Sequence, residues 1–287
     1  MLRKYLVSKS CLTTRRRLLN TQSGPFQSLN ITFDDADLSN LSKTAELLSK
    51  SIPTWRADKN ISAVWIHLSG SKQSSLIPTA LDCGFDYHHA LQNNVSLCLW
   101  LHESMPNKIP PYATHQIGCG AVVTRTRLQQ KQVLLVREAR SFEQWKLPGG
   151  LADLSEELPD AAEREVLEET GVQATFQSIM ALRNSHQMSF GKSDLYVVCH
   201  LEVEEEEEKE EEEESSSSNE VLGIDPDEIE EARWFDVHEW AKTTTHPINL
   251  EVIEQLTTSQ PTARLQEKIR RLAPDKPIWR MYVPRVV

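Results

Sequence analysis

Three glutamates, Glu165, Glu168 and Glu169, stand at i, i+3 and i+4 in the run that ends Glu-Arg-Glu-Val-Leu-Glu-Glu-Thr-Gly. On a helix these positions share one face. Like charges at that spacing each cost roughly a few tenths of a kcal/mol. Arg164 is the only basic residue between Gly150 and Val172 to offset them. A helix that keeps such repulsion is expected to hold something positive. A hard divalent cation with oxygen ligands fits best. The surrounding residues are of the kinds needed to aim that face. A strand-like run, 132–137, comes first, and Gly149 and Gly150 supply a tight turn. Pro159 is tolerable only in the first turn of a helix. Gly171 suits the left-handed stop after the last turn.

Gly150, Glu156, Arg164, Glu165, Val166, Glu168, Glu169, Gly171 and Val172 also fill every fixed place of the Nudix box. That pattern is glycine, five residues, glutamate, seven residues, Arg-Glu, an aliphatic, any residue, Glu-Glu, any residue, glycine and an aliphatic. On this motif the chain resembles the Nudix hydrolases. The segments at 98–103, 110–123, 145–150 and 190–201 extend the resemblance to a two-domain subgroup. It includes animal proteins named for an antisense relation to basic fibroblast growth factor. It also includes plant enzymes that cleave ADP-ribose and NADH.

The resemblance implies a site. Glu165, Glu168 and Glu169 would bind Mg²⁺ or Mn²⁺, with the backbone carbonyl of Gly150 as a further ligand. Arg164 would pair with Glu156 and orient the catalytic carboxylates Glu165 and Glu168. Glu165 is the first choice for the general base, and Glu228 or Glu230 is the rival. The implied reaction is metal-dependent hydrolysis of a nucleoside diphosphate linked to another moiety, releasing a nucleoside monophosphate. ADP-ribose and NADH are the substrates that the subgroup suggests. The markers that distinguish several Nudix substrate classes are absent downstream of the box, so no substrate-binding residue is named. Two alternatives stay open: a nucleotide-sensing binding protein, and a hydrolase acting on another nucleotide, such as an oxidised one. Trp145 invites a base-stacking role, but packing beneath the loop is the expected one.

Charge and cysteine usage narrow the partners. The formal net charge is −11. Residues 202–214 hold eleven Glu and one Lys, which contributes −10 and leaves about −1 for the rest. There is no basic face of the kind that binds nucleic acid. No apolar run approaches the length of a membrane span. The five cysteines, at 11, 83, 98, 119 and 199, are odd in number and lack metal-pair spacing. That argues against a disulfide framework or a zinc site. A small-molecule partner is therefore expected, and a homodimer is left open.

Six basic residues fall within the first seventeen positions, whereas the first acidic residue is Asp34. Residues 1–30 thus have the composition of a transit peptide. Mitochondrial localisation is expected, with plastid or cytoplasm as alternatives.

Alternating strand and helix patterns then suggest a mixed α+β chain. Residues 31–103 read as a small α/β domain, to which the resemblance gives an acetyltransferase-like shape. Strands are expected at 29–33, 61–68, 85–89 and 95–101, and helices at 38–49 and 75–83. His88 and His89 read as a solvated or core-satisfied pair on a strand. Residues 104–114, with three prolines, read as a linker. Residues 115–245 would form the Nudix α/β/α sandwich. The Glu- and Ser-rich insertion, 202–219, buries almost nothing apolar and is expected to be disordered. The C-terminal 246–287 is expected to hold helices, one with helical spacing over 261–272, and a tail.

Overall fold

The computed structural model describes residues 20–33, 40–127, 129–139, 145–203, 222–258, 265–271 and 278–284. The chain divides into two compact units, Met1–Ala113 and Thr114–Val287. Residues 204–219 of the acidic insertion and residues 1–19 of the leader lie outside the described residues.

The first unit begins earlier than the sequence suggests. Strand β1 (Asn20–Gly24) pairs antiparallel with β2 (Ser28–Thr32), and β2 runs parallel to β3 (Ala63–Ser69). The sheet therefore begins inside the stretch, 1–30, whose composition suggested a leader. The weak β pattern of residues 20–30 hid it: Gln, Ser, Thr and Gly dominate the run. Helix α1 (Leu41–Ala57) joins β2 to β3 and is capped by Asn40, whose side chain accepts from Lys43 N at 3.0 Å. It outruns the expected 38–49 and passes through Pro53. The lost backbone hydrogen bond is offset by Trp55, buried two residues further on.

The helix expected over 75–83 is two short ones, α2 (Gly70–Ser74) and α3 (Ile77–Asp82), because Pro78 starts a new first turn. Strands β4 (Asp86–Leu91) and β5 (Asn94–Trp100) complete a sheet of order β1-β2-β3-β5-β4. Val64, Ile66 and Leu68 alternate onto one face and pack with Leu97, Leu99, Leu48 and Trp55. His88 and His89 are satisfied locally: their Nδ1 atoms lie 2.7 Å apart, and His88 Nε2 donates to Pro110 O at 2.8 Å. The His89 ring stacks on Tyr112 at 4.7 Å.

In the second unit, β6 (His115–Arg127) and β7 (Gln130–Glu138) form an antiparallel pair. A short strand, β8 (Gly149–Leu151), pairs with β6 and leads into helix α4 (Leu158–Thr170). Then come β9 (Thr175–Ser185), β10 (Ser193–Glu202), β11 (Ile229–Asp236), α5 (Val237–Thr243) and α6 (Pro247–Thr257). Strand β10 runs parallel to β6 and antiparallel to β9, whereas β11 closes onto β7.

The two-residue period sorts this sheet into two cores. Cys119, Ala121, Val123, Val197, Cys199 and Leu201 face α4 and meet its Ala161, Ala162 and Val166. Val122, Val133, Leu135 and Val198 face the other way, onto Trp240 of α5 and Val252, Ile253 and Leu256 of α6. Helices thus cover both faces, the expected α/β/α sandwich.

The C-terminal expectation is corrected. Residues 265–271 are a strand, β12 (Leu265–Arg271), paired with β13 (Ile278–Pro284), and Leu265 pairs with Ile179 on β9. The misreading has a simple cause. Leu265 and Ile269 are four apart, a spacing that puts two residues on one face of a helix or of a strand alike. Residues 278–284 of the expected tail are the partner strand.

Candidate active site

The turn that feeds α4 is set by backbone fit. Lys146 makes a two-way backbone bridge with Val136 of β7, at 2.9 Å in each direction. Two residues on, Pro148 O accepts from Ala121 N at 2.8 Å. Gly149 follows with φ +142, a conformation that favours glycine, and a Cβ there would collide with the carbonyl oxygen of Cys119. A Cβ on Gly150 would sit 2.6 to 2.7 Å from the Glu165 carboxylate. Gly150 therefore lets that carboxylate lie against the turn. Helix α4 has Pro159 in its first turn and ends at Gly171, φ +73, as the sequence predicts.

The box carboxylates fall into two groups. Arg164 organises the first. Its Nε donates to Glu156 Oε1 at 2.7 Å and its Nη2 to Glu156 Oε2 at 2.9 Å, a bidentate pair. Its Nη1 donates to Glu165 Oε1 and Glu168 Oε2, each at 2.9 Å, and Nη2 also reaches Leu151 O at 3.2 Å. The expected Arg164–Glu156 pair is thus present, and Arg164 directly holds two of the three carboxylates expected as metal ligands. The Arg164 guanidinium holds the Glu156 carboxyl well down, to about 2. Burial moves Glu165 the other way, against the pull of Arg164.

Glu169 stands apart. It is only 5% exposed, and its Oε2 accepts from Gly149 N at 2.8 Å. Lys146 Nζ lies 3.9 Å from its other oxygen, Oε1, and makes a close ion pair with Glu138. Burial raises Glu169 to about 7, a shift that Lys146 and the Gly149 amide only partly offset.

Among the described residues, no three His, Cys, Asp or Glu side chains converge as a ready-made metal cage. The shared helix face therefore does not deliver Glu165, Glu168 and Glu169 to one point. Arg164 gathers the first two, and the Gly149 turn gathers the third. The donor set still suits a hard divalent cation: each candidate ligand offers oxygen, and the bare Gly150 lets the Glu165 carboxylate lie against the turn.

The rival bases separate. Glu230 is tied to Arg137 at 3.2 Å. Glu228 lies close enough for its charge to raise Glu165. Trp145 packs edge-on against Phe235 at 4.7 Å, with Arg137 and Arg233 each 5.4 Å from its ring centroid. That is the expected packing role. Lys146 and Glu138 were missed by sequence reasoning. The available signal was position: Lys146 lies three residues before the glycine turn, and Glu138 ends the strand beside it.

The NUDIX domain pattern matches residues 114–256, and a Nudix hydrolase domain pattern matches residues 19–101. The chain is 41% identical over 159 residues to Nucleoside diphosphate-linked moiety X motif 6 of Mus musculus, which covers 54% of this chain and 49% of that one. It is 34% identical over 214 residues to the Homo sapiens protein of the same name, covering 73% and 61%. Nudix hydrolase 8 of Arabidopsis thaliana is 36% identical over 202 residues, covering 69% and 50%. The chain spans about half to three fifths of the length of these curated relatives. With the box complete, its carboxylates placed around the Gly149–Gly150 turn and both units matched by patterns of one family, the chain belongs to the Nudix hydrolases.

Proposed function

We propose that the protein hydrolyses a nucleoside diphosphate linked to another moiety, releasing a nucleoside monophosphate and the phosphorylated partner. The observation that carries this reading is the intact carboxylate set beside Gly150. Glu165 and Glu168 are aimed by an Arg164 that Glu156 holds bidentately. A helix maintained only for packing has no use for a buried, charge-repelled Glu169 at its end. Mg²⁺ or Mn²⁺ bound there would neutralise phosphate charge and acidify a water.

The protein's own groups have separable roles. Glu165, Glu168, Glu169 and the Gly150 carbonyl supply oxygen ligands. Arg164 and Glu156 fix the helix against the turn. Glu165 accepts the proton of the attacking water, since burial already favours its protonated form. Glu228 is the alternative acceptor. ADP-ribose and NADH are the first substrates to test, on the strength of the two-domain resemblance.

The test is a panel of nucleoside diphosphate derivatives assayed with Mg²⁺ and with Mn²⁺. Turnover that needs metal and is lost in Glu169→Gln supports the reading. Binding without turnover across the panel would instead make the protein a nucleotide sensor.

A further inference from the structure

Among the described residues, two cations pair with the candidate ligands, and they are held very differently. Arg164 is saturated: its donors are spent on Glu156, Glu165, Glu168 and Leu151 O. Its place is structural, and it cannot leave without breaking the turn. Among the described residues, Lys146 pairs with two carboxylates, Glu138 and Glu169. Its side chain is 37% exposed, so one side of it meets solvent. A lysine carries a compact charge on a four-carbon stem with freely rotating donors, whereas a guanidinium is a rigid fork. Lys146 is thus the cation that can move.

We propose that Lys146 is a resident counter-ion that exchanges with the divalent cation at Glu169 and then takes hold of the substrate's phosphate. This inference rests on the proposed metal-dependent reading of the site. The argument is one of charge. Glu169 is almost fully buried, and a buried carboxylate needs a positive partner. The Gly149 amide supplies a partial charge and Lys146 a full one, at 3.9 Å. A divalent ion on Glu169 would satisfy that carboxylate better and would repel the ammonium beside it. Glu138 keeps the displaced ammonium tethered at the edge of the site. Lys146 Nζ starts 3.9 Å from the carboxylate that would hold the metal, and a mobile ammonium beside that point is suited to bind a phosphate oxygen.

The exchange makes opposite predictions for two ligands, which a merely structural lysine does not. Mn²⁺ alone should be titrated into the full-length wild type, Lys146→Met and Lys146→Arg, followed by the spin-resonance signal of free Mn²⁺. Methylenediphosphonate, a diphosphate mimic that resists hydrolysis, should then be titrated at saturating Mn²⁺. In Lys146→Met the Mn²⁺ affinity should rise by about threefold to tenfold, and the diphosphonate affinity should fall by about tenfold, the scale of one lost charge-assisted hydrogen bond. Lys146→Arg should keep the diphosphonate affinity within about threefold of wild type.

Unchanged or weaker Mn²⁺ binding in Lys146→Met overturns the exchange. An unchanged diphosphonate affinity overturns the phosphate contact. Glu169→Gln separates this from failure of the underlying reading: if that variant binds Mn²⁺ as wild type does, the metal site itself is wrongly placed. Should Lys146→Met fold poorly, Lys146→Gln replaces it with the same two expectations.

Discussion

Glu156 and Glu169 belong to one motif, and the fold treats them in opposite ways. Glu156 meets a bidentate guanidinium, which makes its ionised form the favoured one and takes it down to about 2. Glu169 is buried at the far end of the same helix with a backbone amide and a more distant ammonium, and is raised to about 7. One carboxylate holds the turn together. The other is buried at a cost to the fold, which the proposed reading explains as a group retained for chemistry. The difference teaches that charge in the box is not uniform: Glu156 and Glu169 are told apart by their partners.

The largest effect that would break this comparison is on turnover. Glu169→Gln should lower metal-dependent turnover by about a hundredfold or more, because it removes an anionic ligand from the cation that would offset the phosphate charge. Steady-state rates at saturating Mg²⁺ check this. A loss of less than tenfold would make Glu169 a structural residue like Glu156.

Next in size is Arg164→Gln, which releases Glu156, Glu165 and Glu168 together. Leaving a half-buried carboxylate without its guanidinium should destabilise the unit by about 2–4 kcal/mol, and turnover should fall with it. Urea unfolding gives the first quantity. A stability loss under about 1 kcal/mol would show that the clamp is not what holds the turn.

A third effect concerns pH and sharpens the contrast by sign. Glu156 is lowered, so its contribution is present above the unfolded carboxylate range near 4.5 and is lost as pH falls towards 2. Glu169 is raised, so its contribution is full below about 4.5 and is lost as pH rises through about 7. In metal-free protein, Glu169→Gln should therefore melt higher than wild type at pH 8, by no more than about 3 kcal/mol in stability. The difference should vanish at pH 4.5. Glu156→Gln should melt lower than wild type at pH 8, and the gap should narrow on acidification. Melting curves in chelator at several pH values check both. Parallel curves for the two variants would erase the comparison.

The smallest effect is expected at Glu168, whose side chain is 59% exposed. Glu168→Gln should change stability by less than about 0.5 kcal/mol, since an exposed ion pair is worth little. A chemical role should still appear as lost turnover. Stability and rate measured on the same preparation separate the two.

Much of this was legible in the sequence, for identifiable reasons. Glu156 and Arg164 could be paired because the box fixes their spacing, and Pro159 and Gly171 marked the helix ends through their backbone limits. The α/β/α sandwich with helices on both faces was anticipated from the family resemblance, not from a pattern in 119–123 or 197–201. What spacing could not show was where each carboxylate turns. A common helix face put Glu165, Glu168 and Glu169 together, but a face is about a turn wide, and Arg164 and the Gly149 amide draw the groups to different ends of it. Lys146 was invisible because it lies on a different segment, and its approach to Glu169 depends on the bridge to Val136. The strands at 20–24 and 265–271 were missed because one is polar and the other carries an ambiguous four-residue spacing.

The most direct test is metal-dependent hydrolysis followed in parallel in wild type, Glu156→Asp and Glu169→Gln. ADP-ribose and NADH head the panel, with Mg²⁺, Mn²⁺ or chelator. The account predicts release of nucleoside monophosphate only with metal, a collapse of that release in Glu169→Gln with folding intact, and substantial activity in Glu156→Asp, which keeps the charge on Arg164. Equal turnover in chelator and in metal, or a fully active Glu169→Gln, would contradict it.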